Sequence, residues 1–189
     1  MNRSLLALAL SLAMGLPAVQ AADEATINAR VAEHRAVVKE FGGTLRQELQ
    51  AAMKEGGPVN AIDICHKRAP EIAADLSGKT GWDVHRTSLK PRAKAPDAWE
   101  STVLAKFDEQ RAAGKSPDEM EFYEVVENNG KSQLRYMKAL GTAALCLNCH
   151  GSEVKPEVKA KIDALYPNDQ AIGYQEGQIR GAVSISSPL

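Results

Sequence analysis

Phe122-Tyr123-Glu124-Val125-Val126-Glu127 and Gln133-Leu134-Arg135-Tyr136-Met137-Lys138-Ala139 flank Asn128-Asn129-Gly130. The flanking runs hold β-branched, aromatic and long apolar side chains. The Asn-Gly pair between them tolerates the positive φ angles of a tight hairpin turn. Two antiparallel strands are therefore expected here, in a chain whose other long stretches carry helical periodicity.

Towards the N-terminus, Ile27, Val31, His34, Val38, Phe41, Leu45, Leu49 and Ala52 recur every three or four positions. They predict one long helix over residues 24–55, ended by Gly56-Gly57-Pro58. A second helical stretch, Val59 to Leu76, carries the stripe Val59, Ile62, Cys65, Ala69, Ile72 and Leu76, with Pro70 expected to kink or restart it. Ser77 to Gly81 reads as a turn and Trp82 to Leu89 as a strand. Lys90 to Pro96 is a basic, proline-containing loop. Asp97 then caps a helix to about Ala112, with Glu100 at the third position of a capping box. Beyond the hairpin come a short segment at Leu145 to Gly151, a helix at Pro156 to Leu165 and a strand at Gly181 to Ile185. No repeat or low-complexity linker interrupts this order. The expected fold class is α+β, a single domain over residues 22–189 built round an antiparallel sheet.

Residues 1–21 read as a secretory signal peptide: Arg3, the apolar run Leu5 to Val19, and the small-residue cleavage site Val19-Gln20-Ala21. An uncleaved anchor is the alternative, although the run is short for a membrane span. No other segment is apolar and long enough to cross a bilayer, so no span is expected after cleavage. The formal net charge of the 189-residue chain is −1, which gives no footprint for nucleic acid. Export, to a periplasm or its equivalent, puts three cysteines in an oxidising compartment. A disulfide framework would leave one of them over.

Cys146-Leu147-Asn148-Cys149-His150 has the spacing of covalent haem attachment. Two thiols separated by two residues reach the two vinyl groups of one porphyrin, and the adjacent imidazole is held beneath it as an axial ligand. One covalent haem c is expected. A thioredoxin-like dithiol would open a helix after a strand of a βαβ unit, whereas this motif follows a hairpin strand. A zinc site would be one ligand short unless Cys65 contributed. For the other side of the iron the candidates are Cys65, His66, His34, His85, Met53, Met120 and Met137. Methionine is the generic choice for a c-type cytochrome. Cys65 lies on the apolar stripe of its helix, with His66 about 100° further round. It also reads as a buried small hydrophobe. A thiolate ligand would favour Fe(III) and lower the potential. Among His85, Arg86, Lys90, Arg92 and Lys94, the guanidinium groups could pair with haem propionates, or the run could be a solvated surface. Trp82, Trp99, Tyr136, Tyr166 and Tyr174 could pack round the ring or simply fill a core.

Several segments together resemble one family: Ala61-Ile62-Asp63-Ile64-Cys65 with Ala69-Pro70-Glu71-Ile72-Ala73, Arg86-Thr87-Ser88-Leu89-Lys90-Pro91-Arg92, and Ala95-Pro96-Asp97-Ala98-Trp99-Glu100. The Cys146 to His150 motif follows, then Tyr166-Pro167 with Asp169, Ala171, Gly173-Tyr174, Gly177 and Arg180 to Ser184. The family resembled is that of small exported c-haem domains with a PAS-like fold, which also serve as extracytoplasmic sensor parts of histidine kinases. The resemblance implies a PAS-like antiparallel sheet flanked by helices. It also implies Cys/His ligation by Cys65 and His150, and Arg86 and Arg92 lining the haem pocket. One departure is Ala93-Lys94-Ala95, where the family tends to carry Asn-Pro and a further Asn.

Two functions are expected from this reading. In the first the protein is a haem-based redox or gas sensor, its thiolate leaving on reduction or giving way to a diatomic gas such as nitric oxide or carbon monoxide. No kinase or other output segment is read in these residues, so a separate signalling partner is implied. The alternative is a soluble periplasmic electron-transfer cytochrome with a redox partner protein. Peroxidase-like enzyme chemistry comes third. His34 on the apolar stripe of the first helix marks either a seam for a homodimer or the face that packs on the sheet.

Overall fold

The computed structural model describes residues 23–189; the expected signal segment lies outside them. Helix α1 (Glu24–Asp63) opens at Asp23, whose carboxylate accepts from the Thr26 amide at 2.7 Å. It breaks at Gly56 and Gly57, the latter at φ 67°, before Pro58 restarts it. The second helical stretch differs from its expected regularity. Ile64–Arg68 widens into a π turn, and α2 (Ala69–Thr80) follows. Pro70 has no N–H to offer the His66 carbonyl, and the Ala69 amide reaches back to Ile64 O instead. No described helix is long and apolar enough to cross a membrane.

Strand β1 (Asp83–Thr87) is shorter than the alternation predicts. Helix α3 (Ala98–Ala112) carries both halves of the Asp97/Glu100 capping box. After a 3₁₀ turn at Pro117–Glu119 come β2 (Glu121–Asn128) and β3 (Lys131–Gly141). Asn128 pairs with Lys131, leaving a two-residue turn in which Asn129 and Gly130 have φ 53° and 73°. The short α4 (Leu147–His150), α5 (Pro156–Leu165) and β4 (Ile179–Pro188) complete the chain.

The sheet order is β1-β4-β3-β2, antiparallel throughout. β4 is thus central, and every residue from Ile179 to Ile185 is buried. Covered on both faces, it shows no alternation, which is why its ends are not legible in sequence. On one face α1 and α2 lay Val31, Phe41, Ile72 and Leu76 over Val84, Leu134, Tyr136 and Val183. On the other, α3 lays Val103, Leu104 and Phe107 over Met137, Ala139 and Ala182. Burial of a phenylalanine such as Phe41 or Phe107, each 1% exposed, contributes roughly 1.5–3 kcal/mol. This is an α+β, PAS-like architecture with a long N-terminal helix.

His34 sits inside that first interface. It is fully buried, its Nε2 lies 2.9 Å from Ser187 Oγ on β4, and the Trp82 ring meets it edge-on at 4.8 Å. The face of α1 that carries it is therefore occupied by the sheet. Burial, with the nearby Arg30 cation, pushes its pKa from 6.5 down to about 4. The unfolded chain takes up a proton here before the folded one does, so stability is lost as pH falls from 6.5 towards 4. At 1.36 kcal/mol per unit the loss reaches at most roughly 3 kcal/mol. Glutamine can keep the Ser187 hydrogen bond but cannot titrate. His34→Gln is expected to shrink the drop in melting temperature between pH 7 and pH 4.5; equal drops in both proteins would remove His34 from the acid response.

Candidate functional site

The π turn, the start of α2, the segment from β1 to Arg92 and the α4 turn enclose a cavity of about 710 Å³. That falls in the range of cofactor pockets, about 300–1,000 Å³. Cys65 and His66 line it from the π turn, Arg86 and Arg92 from β1 and its following loop, and His150 and Arg180 from α4 and β4. The structure brings Cys65, His150, Arg86 and Arg92 together on this one cavity. Cys146 and Cys149 lie on the turn that delivers His150, and all three cysteines are half-buried free thiols.

α4 is one turn long, closed by the Gly151 amide on Leu147 O at 3.0 Å. A Cβ at Gly151 would stand 2.7 Å from that carbonyl, so glycine is needed there. His150 is 8% exposed, and its Nδ1 lies 2.7 Å from Ala171 O. A carbonyl can only accept, so Nδ1 carries the hydrogen, and Nε2 keeps a lone pair in the cavity that His150 lines. Burial lowers its pKa to about 2, with Arg180 and Arg92 adding repulsion, so the ring is neutral. Cys149 packs against Ile62, Val158 and Ile162. Burial and the nearby Cys65 raise its thiol to about 11, Arg92 opposing.

The basic residues divide into paired and unpaired. Arg92 grips Asp169 through Nε at 2.9 Å and Nη2 at 3.0 Å, and the same Nη2 donates to Cys149 O at 3.0 Å. It therefore lines the cavity with its charge already matched. His85 donates to Glu100 at 2.7 Å, a bond that raises its pKa against burial. Burial works to raise the Glu100 carboxyl, but hydrogen bonds from His85 and the Asp97 amide outweigh it and hold the group at about 2. Arg180 is different. It is 8% exposed, and Nη1 reaches Ser88 Oγ at 3.3 Å while Nε has no partner. Burial, with Arg86 and Arg92 nearby, lowers its pKa to about 10, which leaves it charged. Arg180 is a site residue that periodicity does not reveal. Its signal is a guanidinium inside Ile179-Arg180-Gly181-Ala182-Val183, a run otherwise suited to a buried strand.

Of the other ligand candidates, His85 and His66 also line the cavity and the rest lie elsewhere. His34 is in the α1 interface, Met120 and Met137 are fully buried on the α3 side, and both His85 nitrogens face carboxylates. Met53 is not on the cavity wall. His66 is on that wall, its ring edge-on to Tyr166 at 5.1 Å. Of the aromatics, Tyr166 lines the cavity and Tyr174 packs edge-on to His150 at 6.3 Å, while Trp82 and Trp99 belong to the two helix–sheet cores. Among the described residues no group of three or more His, Cys, Asp or Glu comes together to hold a bare metal ion.

Fold and site define an α+β domain of PAS-like form, with a Cys65-lined cavity closed by a C-x-x-C-H turn. Over residues 18–188 the chain matches the family model described as Tll0287-like, and it belongs to that family. It is similar to the crystal structure of the cyanobacterial heme-protein Tll0287, with a TM-score of 0.63 and 22% identity over 88% of this chain and 97% of that one. At that identity the likeness carries the fold. No functionally curated protein matches the chain.

The cavity floor depends on Gly181, at φ 152°, where an added Cβ would fall 2.3 Å from Thr87 O. Backbone and not a flexible tip is the obstacle. Gly181→Ala is expected to part β4 from β1 and cost more than about 2 kcal/mol. Urea denaturation with an unchanged midpoint would contradict that.

Proposed function

We propose that this chain is an exported monohaem c-type cytochrome, with one haem c joined to Cys146 and Cys149 and with His150 and Cys65 as axial ligands to the iron. The observation that carries the reading is His150 itself: fixed through Nδ1, held neutral by burial, and lining a cavity that Cys65 also lines. Cys65, His150, Arg86 and Arg180 line the cavity and fit the group, and Cys146 and Cys149 lie on the turn that carries His150. Arg180, buried with an unbonded Nε, and Arg86 beside it are suited to the carboxylates of propionates. A haem bound there supplies a one-electron Fe(III)/Fe(II) couple. Cys65 as thiolate would favour the ferric state, and the carbonyl bond at Nδ1 strengthens His150 as a donor.

Within this reading the role proposed is a haem-based redox or diatomic-gas sensor that acts on a signalling partner. What favours it is the place of Cys65 in a π turn. Such a turn can pass to α-helix by moving one amide from i−5 to i−4, which gives the thiol a route away from the cavity. A second reading, an electron carrier, is favoured by Leu89 and Ile172, which are 43% and 47% exposed beside Lys90. Ile172 follows the residue whose carbonyl holds His150, so this apolar patch would suit a redox partner. Export fits residues 1–21 and a cofactor that cannot be lost by dilution.

Protein secreted by cells with a working haem-maturation system is expected to keep its colour through acid and organic solvent and to give a c-type pyridine haemochrome. Ferric protein should be six-coordinate and low-spin, and Cys65→Ser should convert it to high spin or to a different low-spin species. An untouched spectrum would exclude Cys65 as a ligand. Reduced protein that ignores carbon monoxide and nitric oxide, yet exchanges electrons rapidly with a cytochrome, would favour the carrier over the sensor.

A further inference from the structure

Three successive carbonyls, those of Cys149, His150 and Gly151, are each held from outside the motif. Arg92 Nη2 donates to the first at 3.0 Å, the Tyr174 amide to the second at 2.9 Å and the Gly173 amide to the third at 3.0 Å. The same loop returns a carbonyl to the ring, since His150 Nδ1 donates to Ala171 O at 2.7 Å. Besides the Gln170 amide on Pro91 O at 3.0 Å, what fixes the loop is Asp169. Its Oδ1 accepts from Arg92 Nε and from the Ala171 amide, both at 2.9 Å, and its Oδ2 accepts from Arg92 Nη2 at 3.0 Å. The side chains of Arg92 and Asp169 are 8% and 6% exposed, so this is a buried, two-pronged pair.

We infer that Arg92 and Asp169 are positioning residues that together set the orientation and donor strength of the His150 imidazole. Arg92 is bonded to both bodies, the motif through Cys149 O and the loop through Asp169. A rigid planar guanidinium therefore fixes the spacing between the ring and the Ala171 carbonyl. A well-aligned Nδ1–H···O bond makes Nε2 a stronger donor, which favours the ferric state. Neither residue need touch the ligand. Asp169 has both oxygens taken, and two of the three Arg92 nitrogens are engaged. Arg92 lines the cavity, with its main bonds made to protein.

The inference rests on the haem reading, and its test separates the two. Asp169→Asn keeps the shape and an acceptor for the Ala171 amide but loses the charge that holds Arg92. Arg92→Lys keeps the charge but cannot span Asp169 and Cys149 O together. Each is expected to retain covalent haem and a native far-UV circular dichroism spectrum, and to shift the ferric-to-ferrous preference about tenfold, a rise of about 59 mV. The low-spin electron paramagnetic resonance signal should broaden as the ring loses a single orientation. Lys159→Gln, which removes the exposed Lys159–Asp163 pair on α5, should leave the potential unchanged. A wild-type potential in both folded variants overturns the inference. If wild-type protein carries no haem, the haem reading fails, and hydrogen exchange on the haem-free chain decides the clamp. The Ala171, Gly173 and Tyr174 amides should then exchange about tenfold faster in Asp169→Asn, or in Arg92→Lys if the first variant does not fold, and unchanged exchange overturns it.

Discussion

β4 is hydrogen-bonded along both edges and covered on both faces, and almost everything else in the molecule is arranged by that fact. Its far end gives Ser187 to the buried His34 of α1. Its middle supplies Val183 and Ile185 to one core and Ala182 to the other. Its beginning brings Arg180 into the cavity and presses Gly181 against the Thr87 carbonyl of β1. A strand in that position cannot shift register without turning its polar residues into the wrong layer. The part of the cavity wall that β4 supplies is therefore set by the core, while the segment after β1 and the residues that follow α5 complete it.

Two of the basic groups around the cavity are matched in pairs. Arg92 has Asp169, and His85 has Glu100, whose other oxygen caps α3. His150, held neutral, adds nothing. Among the described residues Arg180, Arg86 and Lys94 are left over, the first of them deeply buried and the last exposed. A buried guanidinium with an empty nitrogen is costly to keep in a cavity unless something anionic meets it. This points to a ligand with carboxylates, and it does so independently of the C-x-x-C-H spacing.

Much of this could be read from the chain. The Asn129-Gly130 turn, the Asp97/Glu100 capping box and the Gly56-Gly57-Pro58 break depend on local chemistry, and they stand where local chemistry puts them. The stripe through Cys65 was legible as a helical face; of it Cys65 and Ala69 line the cavity, while Ile62, Ile72 and Leu76 pack into cores. Three features were hidden for physical reasons. The π turn adds one residue to one turn, too little to disturb a count of apolar positions. β4 has no alternation because no face of it sees water. The pairing of Arg92 with Asp169, 77 positions apart in sequence, arises only when the loop after α5 folds back on the motif.

Cys65 and His150 are held in opposite ways, and the contrast bears on what the site can do. His150 lies on a turn whose ring and two carbonyls, those of His150 and Gly151, are tied to a second loop, itself tied to Arg92, which holds the Cys149 carbonyl. Cys65 lies on a short piece of helix bounded by the Gly56-Gly57 break on one side and Pro70 on the other, and its own turn is already off the α-helical pattern. Rotating that piece would cost few hydrogen bonds, because the glycine break can absorb the change in φ and ψ. If both groups bind one iron, the histidine is the fixed ligand and the cysteine the one free to leave. A pure electron carrier gains nothing from that asymmetry, since movement of a ligand adds a reorganisation cost to every transfer. A sensor requires it, because the departure of one ligand is the event that a signal must report.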